Sequence, residues 1–266
     1  MKNTLRFASV ASSSSGNCTY IGSNNTNILV DVGISGKRTC EGLKNLGVSI
    51  EDIDAVFVTH EHHDHVDGLG VVARKYNIPI YATEGTLSNL PEKVGKIRPG
   101  LLNTLYPGEK CVINDIFVSA FPIPHDAAEP VGYSFITDNH KVTVATDIGH
   151  ITKEVKENAL KSDILLIESN HDEQMLKNGM YPYHLKKRIL SVNGHLSNDD
   201  CALFLKDIIK EGTKYVLLGH LSKENNTPAL AYYTNANAIE QMGAKIGDDC
   251  YMWVAPPTGM TKCIQL

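Results

Sequence analysis

The sequence predicts an α/β fold in which two packed, mixed β-sheets are covered by helices on both outer faces, a four-layer αββα sandwich. Short apolar runs alternate with helical patterns in two similar halves of the chain, as this architecture requires. Several of these runs end in aspartate, glutamate or histidine, and strand ends are where an α/β sheet opens a crevice. No low-complexity segment, charge block or linker interrupts the 266 residues, so we expect residues 1–266 to form one domain.

The composition is typical of a globular protein with an apolar core. Hydrophobic residues make up 42% of the chain and charged residues 21%, which excludes a disordered or membrane-spanning chain. The net charge of −5 argues against a protein that coats nucleic acid through bulk positive charge, but it leaves room for a local basic groove. The first residues lack the apolar region of a signal peptide. We therefore expect a cytoplasmic protein without a membrane partner.

The first half of the chain predicts strands and helices in alternation. The apolar run 28–32 ends in Asp-x-Gly, as a buried strand that enters a turn does. Residues 38–48 have a helical pattern, and the apolar run 55–59 predicts a second buried strand. A helix at 66–76 and a short strand at 79–82 follow.

The second half repeats this alternation. Residues 112–122 and 131–137 alternate apolar and polar side chains, which predicts antiparallel strands. Three further apolar runs each end in a polar residue: 141–146 before Asp147, 164–167 before Glu168, and 215–219 before His220. Helices at 198–210 and 227–242 and a strand near 251–254 complete the predicted elements.

Residues 60–65 have the form His-x-His-x-Asp-His directly after a predicted buried strand. Neutral imidazole and carboxylate are ligands that Zn²⁺, Mn²⁺ and Fe²⁺ accept. His60 and His62 lie two apart on an extended chain and therefore face the same side, while Asp64 and His65 can reach a second ion. A solvated, histidine-rich loop is the alternative, which the density of ligands disfavours. The segment therefore predicts a metal site.

This pattern resembles the signature of the metallo-β-lactamase superfamily, and the other motifs of that superfamily follow in order. Asp31 resembles the buried acid that orients the ligand loop. His125 resembles the third-motif histidine, Asp147 the aspartate that bridges the metals, and His220 the last histidine. A lone histidine after a proline is often a surface residue, and this is the alternative to a ligand role for His125.

The resemblance implies two divalent ions, Zn or Mn, with Fe as a further candidate. It assigns His60, His62 and His125 to the first ion, Asp64, His65 and His220 to the second, and Asp147 to both. Two ions carry four positive charges and the two aspartates return two negative ones, so the pKa of a bridging water falls and hydroxide becomes available near neutral pH.

Glu168 and His195 resemble the Glu and His pair that nuclease branches of the superfamily, such as tRNA 3′-processing enzymes, use to protonate a leaving oxygen. A histidine held by a carboxylate is oriented and made more basic, which suits this role. A position beside the cap of a following helix is the alternative for His195. For Glu168 the alternative is a structural ion pair.

Two segments supply candidate contacts to a substrate phosphate. The serine-rich segment 11–18 places Ser14, Ser15 and Asn17 where hydroxyl, amide and backbone N–H groups can cradle a phosphate, although an unliganded turn is the alternative. The segment 181–188 offers aromatic rings together with Lys186 and Arg188, which suit base stacking and phosphate binding. An ordinary amphipathic helix with solvated lysines is the alternative there.

In combination, the segments 13–18, 125–133, 168–172 and 194–198 resemble the YycJ/WalJ type of bacterial metallohydrolase. That resemblance implies a 5′-to-3′ DNA exonuclease, a phosphodiesterase in which a metal-bridging hydroxide attacks phosphorus. Asp64, Glu168 and His195 are the expected catalytic residues, and DNA is the expected partner.

Other readings stay open at this point. A small-molecule phosphodiesterase shares every metal ligand, a thioester or lactone hydrolase does not need His195, and a binding module with a structural metal site is a third alternative. Only 73 positions separate Asp147 from His220, too few for the domain inserted in the β-CASP nucleases. The absence of a Gly/Pro-rich arm disfavours a tRNA processor, and the absence of a signal peptide disfavours an antibiotic hydrolase. The sequence leaves the native metal, the polarity of digestion, the pathway and the oligomeric state open.

Overall fold

The computed structural model describes residues 4–266, which fall into two compact units. Unit 1 comprises Met1–Pro122, Ala127–His140 and Pro256–Leu266, and unit 2 comprises Ile123–Asp126 and Lys141–Ala255. The single domain over residues 1–266 stays a prediction. Among the described residues, no helix combines the length and the apolar character that a bilayer span requires.

The strands of the described chain belong to two mixed sheets of seven strands each, as predicted. Unit 1 contains the whole first sheet, in which the early strands pair antiparallel and β3 to β6 pair parallel. In chain order, the strands of this sheet are β1 (Arg6–Ala11), β2 (Cys18–Gly22), β3 (Asn27–Val30), β4 (Ala55–Phe57), β5 (Ile80–Ala82), β6 (Leu102–Thr104) and β14 (Ile264–Gln265).

The second sheet has an antiparallel part and a parallel part. The antiparallel part lies in unit 1 and consists of β7 (Lys110–Ile113), β8 (Ile116–Pro122) and β9 (Val131–Ile136). The parallel part lies in unit 2 and consists of β10 (Lys141–Ala145), β11 (Ile164–Glu168), β12 (Tyr215–Gly219) and β13 (Tyr251–Val254).

The prediction of one continuous strand over residues 112–122 is wrong. A two-residue turn at Asn114 and Asp115 divides this segment into β7 and β8. Asn114 has a φ of 50°, the left-handed conformation that tight hairpin turns require and that asparagine tolerates. The alternating pattern continued through the turn, so periodicity alone did not reveal it.

The helices cover the sheets on their outer faces. In unit 1 these are α1 (Gly36–Asn45), α2 (His63–Val66), α3 (Leu69–Tyr76) and α4 (Glu84–Ser88), with short 3₁₀ turns at Ile50–Asp52, Glu92–Val94 and Pro99–Leu101. In unit 2 they are α5 (Lys153–Ala159), α6 (Glu173–Asn178), α7 (Tyr183–Ile189), α8 (Asn198–Lys210) and α9 (Pro228–Gln241).

Aromatic rings join the two sheets within unit 1. The ring of Phe57 on β4 lies 5.3 Å from that of Tyr133 and 5.6 Å from that of Phe135, both on β9. The Tyr133 hydroxyl donates a hydrogen bond of 2.9 Å to the carbonyl of Val58, which satisfies the one polar atom that this ring buries.

Helices complete the predicted layers. On the other face of the first sheet, Leu43 of α1 and Val72 of α3 belong to one buried cluster with Leu29 and Val56 of the sheet. In unit 2, α5 contacts β10 and α9 contacts β13. The predicted order of helix, sheet, sheet and helix is therefore confirmed.

Gly33 provides a test of how tightly the loops at the strand ends pack. Its N–H donates to the carbonyl of Asn17 at 2.8 Å, and a Cβ at this position would lie 1.6 Å from the carbonyl oxygen of Asp64. We expect Gly33→Ala to lower the free energy of unfolding by at least about 1–3 kcal/mol, because the clash is with backbone that cannot rotate away. Denaturant unfolding with a chelator present measures this change without a contribution from bound metal.

Gly100→Ala is the matched control, because nothing lies within 4 Å of a Cβ at that position. We expect it to change the free energy of unfolding by less than about 0.5 kcal/mol. Equal stability of the two variants would contradict the packing described for Gly33.

Candidate metal centre

In unit 1, the histidine segment leaves β4 as extended chain and then turns into α2. The extended part brings Nε2 of His60 to 3.1 Å from Nδ1 of His62. The first turn of α2 brings Oδ2 of Asp64 to 3.4 Å from Nε2 of His65. Ligand atoms bound tetrahedrally at about 2.0–2.1 Å lie about 3.3 Å apart, so both pairs have the spacing of metal ligands.

Asp31 orients this segment from the end of β3. Its Oδ1 accepts a hydrogen bond of 2.8 Å from the backbone N–H of Thr59, and its Oδ2 lies 2.8 Å from Nδ1 of His65. A proton on Nδ1 of His65 donates to this carboxylate and leaves the lone pair on Nε2 for a metal. Thr59 Oγ1 lies 3.0 Å from Nδ1 of His60, so the same network holds a second ring.

In unit 2, Asp147 follows β10 and His220 follows β12. Oδ1 of Asp147 lies 3.3 Å from Nε2 of His220 and 3.9 Å from Nε2 of His125. One carboxylate oxygen therefore lies near two imidazole nitrogens, the arrangement expected of a residue that bridges two ions.

His125 is a buried residue, not the surface histidine of the alternative reading. Its Nδ1 lies 3.2 Å from the carbonyl of Gly194, which orients the ring. Burial lowers the pKa of His125 below its usual value, in opposition to the nearby Asp147 carboxylate. The ring is therefore held in the neutral form that binds metals.

Three of the site residues have left-handed backbone conformations at strand ends. Asp31 has a φ of 59°, Asp147 of 60° and His220 of 54°. Such conformations cost about 1–3 kcal/mol for residues other than glycine, and they cluster at functional sites. Here they turn each side chain sharply away from the strand that carries it.

Glu168 ends β11 fully buried and orients two imidazole rings with one oxygen. Its Oε1 lies 2.8 Å from Nδ1 of His195 and 2.8 Å from Nδ1 of His220. Its Oε2 accepts hydrogen bonds from the backbone N–H groups of Ile148 at 2.6 Å and Leu196 at 3.2 Å. Burial alone raises the pKa of Glu168, but His195 and His220 lower it further than burial raises it, to about 2. The carboxylate is therefore ionised at neutral pH.

His195 is the member of this cluster that stays partly open to solvent, with 18% of its side chain exposed. Its ring lies 5.1 Å from that of His125 and 5.2 Å from that of His220. Nδ1 of His195 is also 3.8 Å from Oδ1 of Asp147. The side chain that caps α8 is Ser197, so His195 is not needed for that structural role. Asp147, Glu168, His195 and His220 form a group whose ligand atoms are close enough to hold a metal ion.

Buried asparagines support the loops that carry these residues, and the sequence did not predict this network. Asn170 Nδ2 donates to the carbonyl of His220 at 2.8 Å. Asn226 Nδ2 donates to the carbonyls of Ser169 and Asn170 at 2.9 Å, and the side-chain amides of Asn198 and Asn226 lie within hydrogen-bond distance of each other at 3.0 Å. Asparagine is common in exposed turns, so only burial distinguishes these residues.

The residues predicted to contact a substrate phosphate differ in their burial and in their hydrogen-bond partners. Ser14 and Ser15 are exposed, whereas Asn17 is buried and donates through Nδ2 to the carbonyl of Asp64 at 3.2 Å. Asn17 Nδ2 also lies 3.1 Å from Nε2 of His65, so this amide contacts the ligand segment directly. Lys186 Nζ donates to the carbonyl of Lys177 at 2.8 Å. The Arg188 guanidinium forms a two-pronged ion pair with Asp126, with Nη2 3.0 Å from Oδ1.

The chain is similar to known proteins along most of its length. The family model described as "Beta-lactamase superfamily domain" matches residues 26–220. The chain is 40% identical to "Exodeoxyribonuclease YycJ" of Bacillus anthracis over 258 residues, which cover 97% of this chain and 98% of that protein. It is 36% identical to "Exodeoxyribonuclease WalJ" of Streptococcus pneumoniae serotype 2 over 264 residues, 98% of each chain.

Among solved structures, the metallo-β-lactamase fold protein YhfI from Bacillus subtilis superimposes with a TM-score of 0.72. The match covers 100% of both chains at 14% sequence identity, which shows a shared fold. Family model, full-length relatives and fold agree: this chain belongs to the metallo-β-lactamase superfamily, in the family that includes the YycJ and WalJ proteins.

Proposed function

We propose that the chain binds two divalent metal ions through seven side chains. Supporting this, the described distances within each unit match those between ligands of one ion, and each histidine with a carboxylate at Nδ1 keeps Nε2 available. The proposed ligands are His60, His62 and His125 for one ion, Asp64, His65 and His220 for the other, and Asp147 for both.

The donor set consists of imidazoles and carboxylates, which suits Zn²⁺ or Mn²⁺ and also accepts Fe²⁺. When bound, two such ions lower the pKa of coordinated water and neutralise negative charge on a phosphoryl group. The protein supplies the fixed ligand directions, since Asp31 and Glu168 hold the rings of His65 and His220 through hydrogen bonds at Nδ1.

We further propose that the chain hydrolyses phosphodiester bonds as a 5′-to-3′ DNA exonuclease in the cytoplasm. The observation that carries this proposal is His195, a partly exposed imidazole held by the Glu168 carboxylate beside Asp147. A departing alkoxide needs a proton, whereas the thiolate that leaves in thioester hydrolysis does not. The two full-length relatives, both named exodeoxyribonucleases, support DNA as the substrate.

In this mechanism, His195 acts as the general acid. Glu168 accepts a hydrogen bond from Nδ1–H, so the transferable proton of the imidazolium is on Nε2, which faces away from the carboxylate. As a hydroxide derived from water adds to phosphorus, the bond between phosphorus and the leaving oxygen breaks. The leaving oxygen takes the proton from Nε2, and a proton from solvent then restores the imidazolium. Glu168 keeps the ring oriented and places a negative charge beside the imidazolium.

The first test is degradation of a DNA duplex that carries a 5′ phosphate and a 3′ label, with Mn²⁺ or Zn²⁺ added to the purified protein. We expect metal-dependent release of nucleotides from the 5′ end. The control is Asp64→Ala, which removes a proposed ligand and should abolish release. Intact DNA in the wild-type reaction would contradict the nuclease and redirect the search to small phosphodiesters.

His195→Ala tests the proton donor. We expect turnover on DNA to fall by about 10²- to 10⁴-fold while the metal content of the protein stays unchanged. Bis(p-nitrophenyl) phosphate is the diagnostic substrate, because nitrophenolate leaves without protonation and its hydrolysis should fall far less. Loss of metal from His195→Ala would instead make His195 a ligand, and equal losses on both substrates would exclude the general-acid role.

Glu168→Gln tests the carboxylate that holds two rings. Four N–H groups point at the two carboxylate oxygens, and an amide replaces one acceptor with a donor, so at least one buried donor loses its partner. We expect lower metal content by elemental analysis and lower turnover on both substrates. Glu240→Gln, an exposed change on α9, is the control and should alter neither quantity. Full metal occupancy in Glu168→Gln would show that His220 does not depend on this carboxylate.

A further inference from the structure

Outside the metal ligands, unit 2 has an open groove with a volume of about 530 Å³. We call it the lysine–tyrosine groove, and its lining residues are Lys177, Tyr183, Lys186, Lys187, Leu190 and Ser191. Most of them lie on α7 or directly after it. The volume is large enough for one nucleotide unit, and the lining combines amines with an aromatic ring.

The groove is positively charged in a chain whose net charge is −5. Within residues 4–266, neither Lys186 nor Lys187 forms an ion pair with a carboxylate, and Lys186 donates only to the carbonyl of Lys177 at 2.8 Å. The Lys177 ammonium itself pairs with Glu173. Two uncompensated ammonium groups therefore face this surface, which complements a run of phosphates.

The aromatic part of the groove is unusually exposed. Tyr183, the first residue of α7, has 82% of its surface open to solvent, and neighbouring Met180 has 97%. A phenol ring at the N-terminus of a short helix, beside two lysines, contributes nothing to the core. An exposed ring of this kind offers a face on which an unpaired base can stack.

Backbone hydrogen bonds connect the groove to the proposed general acid. The N–H of His195 donates to the carbonyl of Ile189 at 3.0 Å, and the N–H of Gly194 donates to that of Ser191 at 2.9 Å. A Cβ on Gly194 would lie 2.1 Å from the Ile189 carbonyl, so the end of α7 and the His195 loop are in close contact. Tyr183 and Ile189 are six positions apart on the helix, a rise of about 9 Å.

From this geometry we propose that the lysine–tyrosine groove binds unpaired nucleotides of the DNA strand that is cut. Tyr183 stacks on a base, and Lys186 and Lys187 bind the phosphates that flank it. The proposal rests on the nuclease function given above. A base within a duplex is already stacked on its neighbours, so the occupant is a single strand next to the cleaved bond.

The test compares Tyr183→Ala, Tyr183→Phe and Lys187→Ala in the metal-loaded enzyme. For a 5′-phosphorylated single-stranded oligonucleotide, we expect Tyr183→Ala to raise KM and the Kd measured by fluorescence anisotropy at least fivefold. Tyr183→Phe keeps the ring and should restore wild-type values. Lys187→Ala should weaken binding and lower the slope of log K against log salt by about 0.7. Turnover of bis(p-nitrophenyl) phosphate should not change in any of the three.

Tyr233→Ala and Lys210→Ala are matched controls, because they remove an exposed tyrosine from α9 and an exposed lysine from the end of α8. Wild-type KM and Kd in Tyr183→Ala would overturn the groove proposal even when the enzyme cleaves DNA. If the wild type cleaves no DNA, the nuclease function fails, and the anisotropy measurement still decides the groove. Weaker binding to duplex but not to single strands would overturn the assignment of an unpaired strand.

Discussion

The hydrogen bonds between Glu168 and the Nδ1 atoms of His195 and His220 are the interaction on which the rest of unit 2 depends. A fully buried carboxylate is costly unless several donors replace the water that it loses. Glu168 has four such donors, two from imidazole rings and two from the backbone. Because the charge fixes a proton on Nδ1 of each ring, both Nε2 atoms have defined chemistry. A single group therefore orients both rings, one for the proposed metal and the other for the proposed proton transfer.

In unit 1, the shorter side chain of Asp31 orients a histidine ring in the same way. Asp31 holds Nδ1 of His65 and the backbone N–H of Thr59, so the ligand segment is oriented by hydrogen bonds that do not involve a metal. Asn17 then contacts Asp64 and His65 from the serine-rich loop. The left-handed φ values of Asp31, Asp147 and His220 are unfavourable locally, but the flanking sheet pairs fix the chain on one side of each residue. Sheet hydrogen bonds thus offset the strain that directs the ligands.

The cations near the site divide into two groups with different roles. Arg188 is engaged by Asp126, the residue after His125, and so braces the loop that carries a proposed ligand. Within residues 4–266, Lys186 and Lys187 on the same helix form no ion pair with a carboxylate, and Lys186 donates to the carbonyl of Lys177. A guanidinium matches a carboxylate in a fixed two-pronged geometry, whereas an ammonium on a flexible chain follows a mobile phosphate backbone. In our proposal, Arg188 supports the loop that carries His125, and Lys186 and Lys187 bind the substrate.

The sequence by itself determined the fold class and most strand positions, and it marked the residues that we propose as metal ligands. Apolar periodicity marks buried strands, and imidazoles and carboxylates at the ends of such strands line the crevice where an α/β sheet binds its ligands. Periodicity did not predict the hairpin turn at Asn114, since an alternating pattern does not show where a chain reverses. The binding of phosphate by Arg188 stays a prediction, and no periodicity indicates its ion pair with Asp126, 62 positions away.

Only the tertiary structure decided which groups hold the proposed ligands in place. The bond from Glu168 to His220 spans 52 positions, and the contact of Asn17 with His65 spans 48. The amide pair of Asn198 and Asn226 likewise exists only where two loops meet. Which distant residues meet depends on strand order and on the left-handed turns at strand ends, and neither leaves a local pattern in the chain. Residue chemistry is local, whereas orientation and burial come from contacts that form only when the sheets assemble.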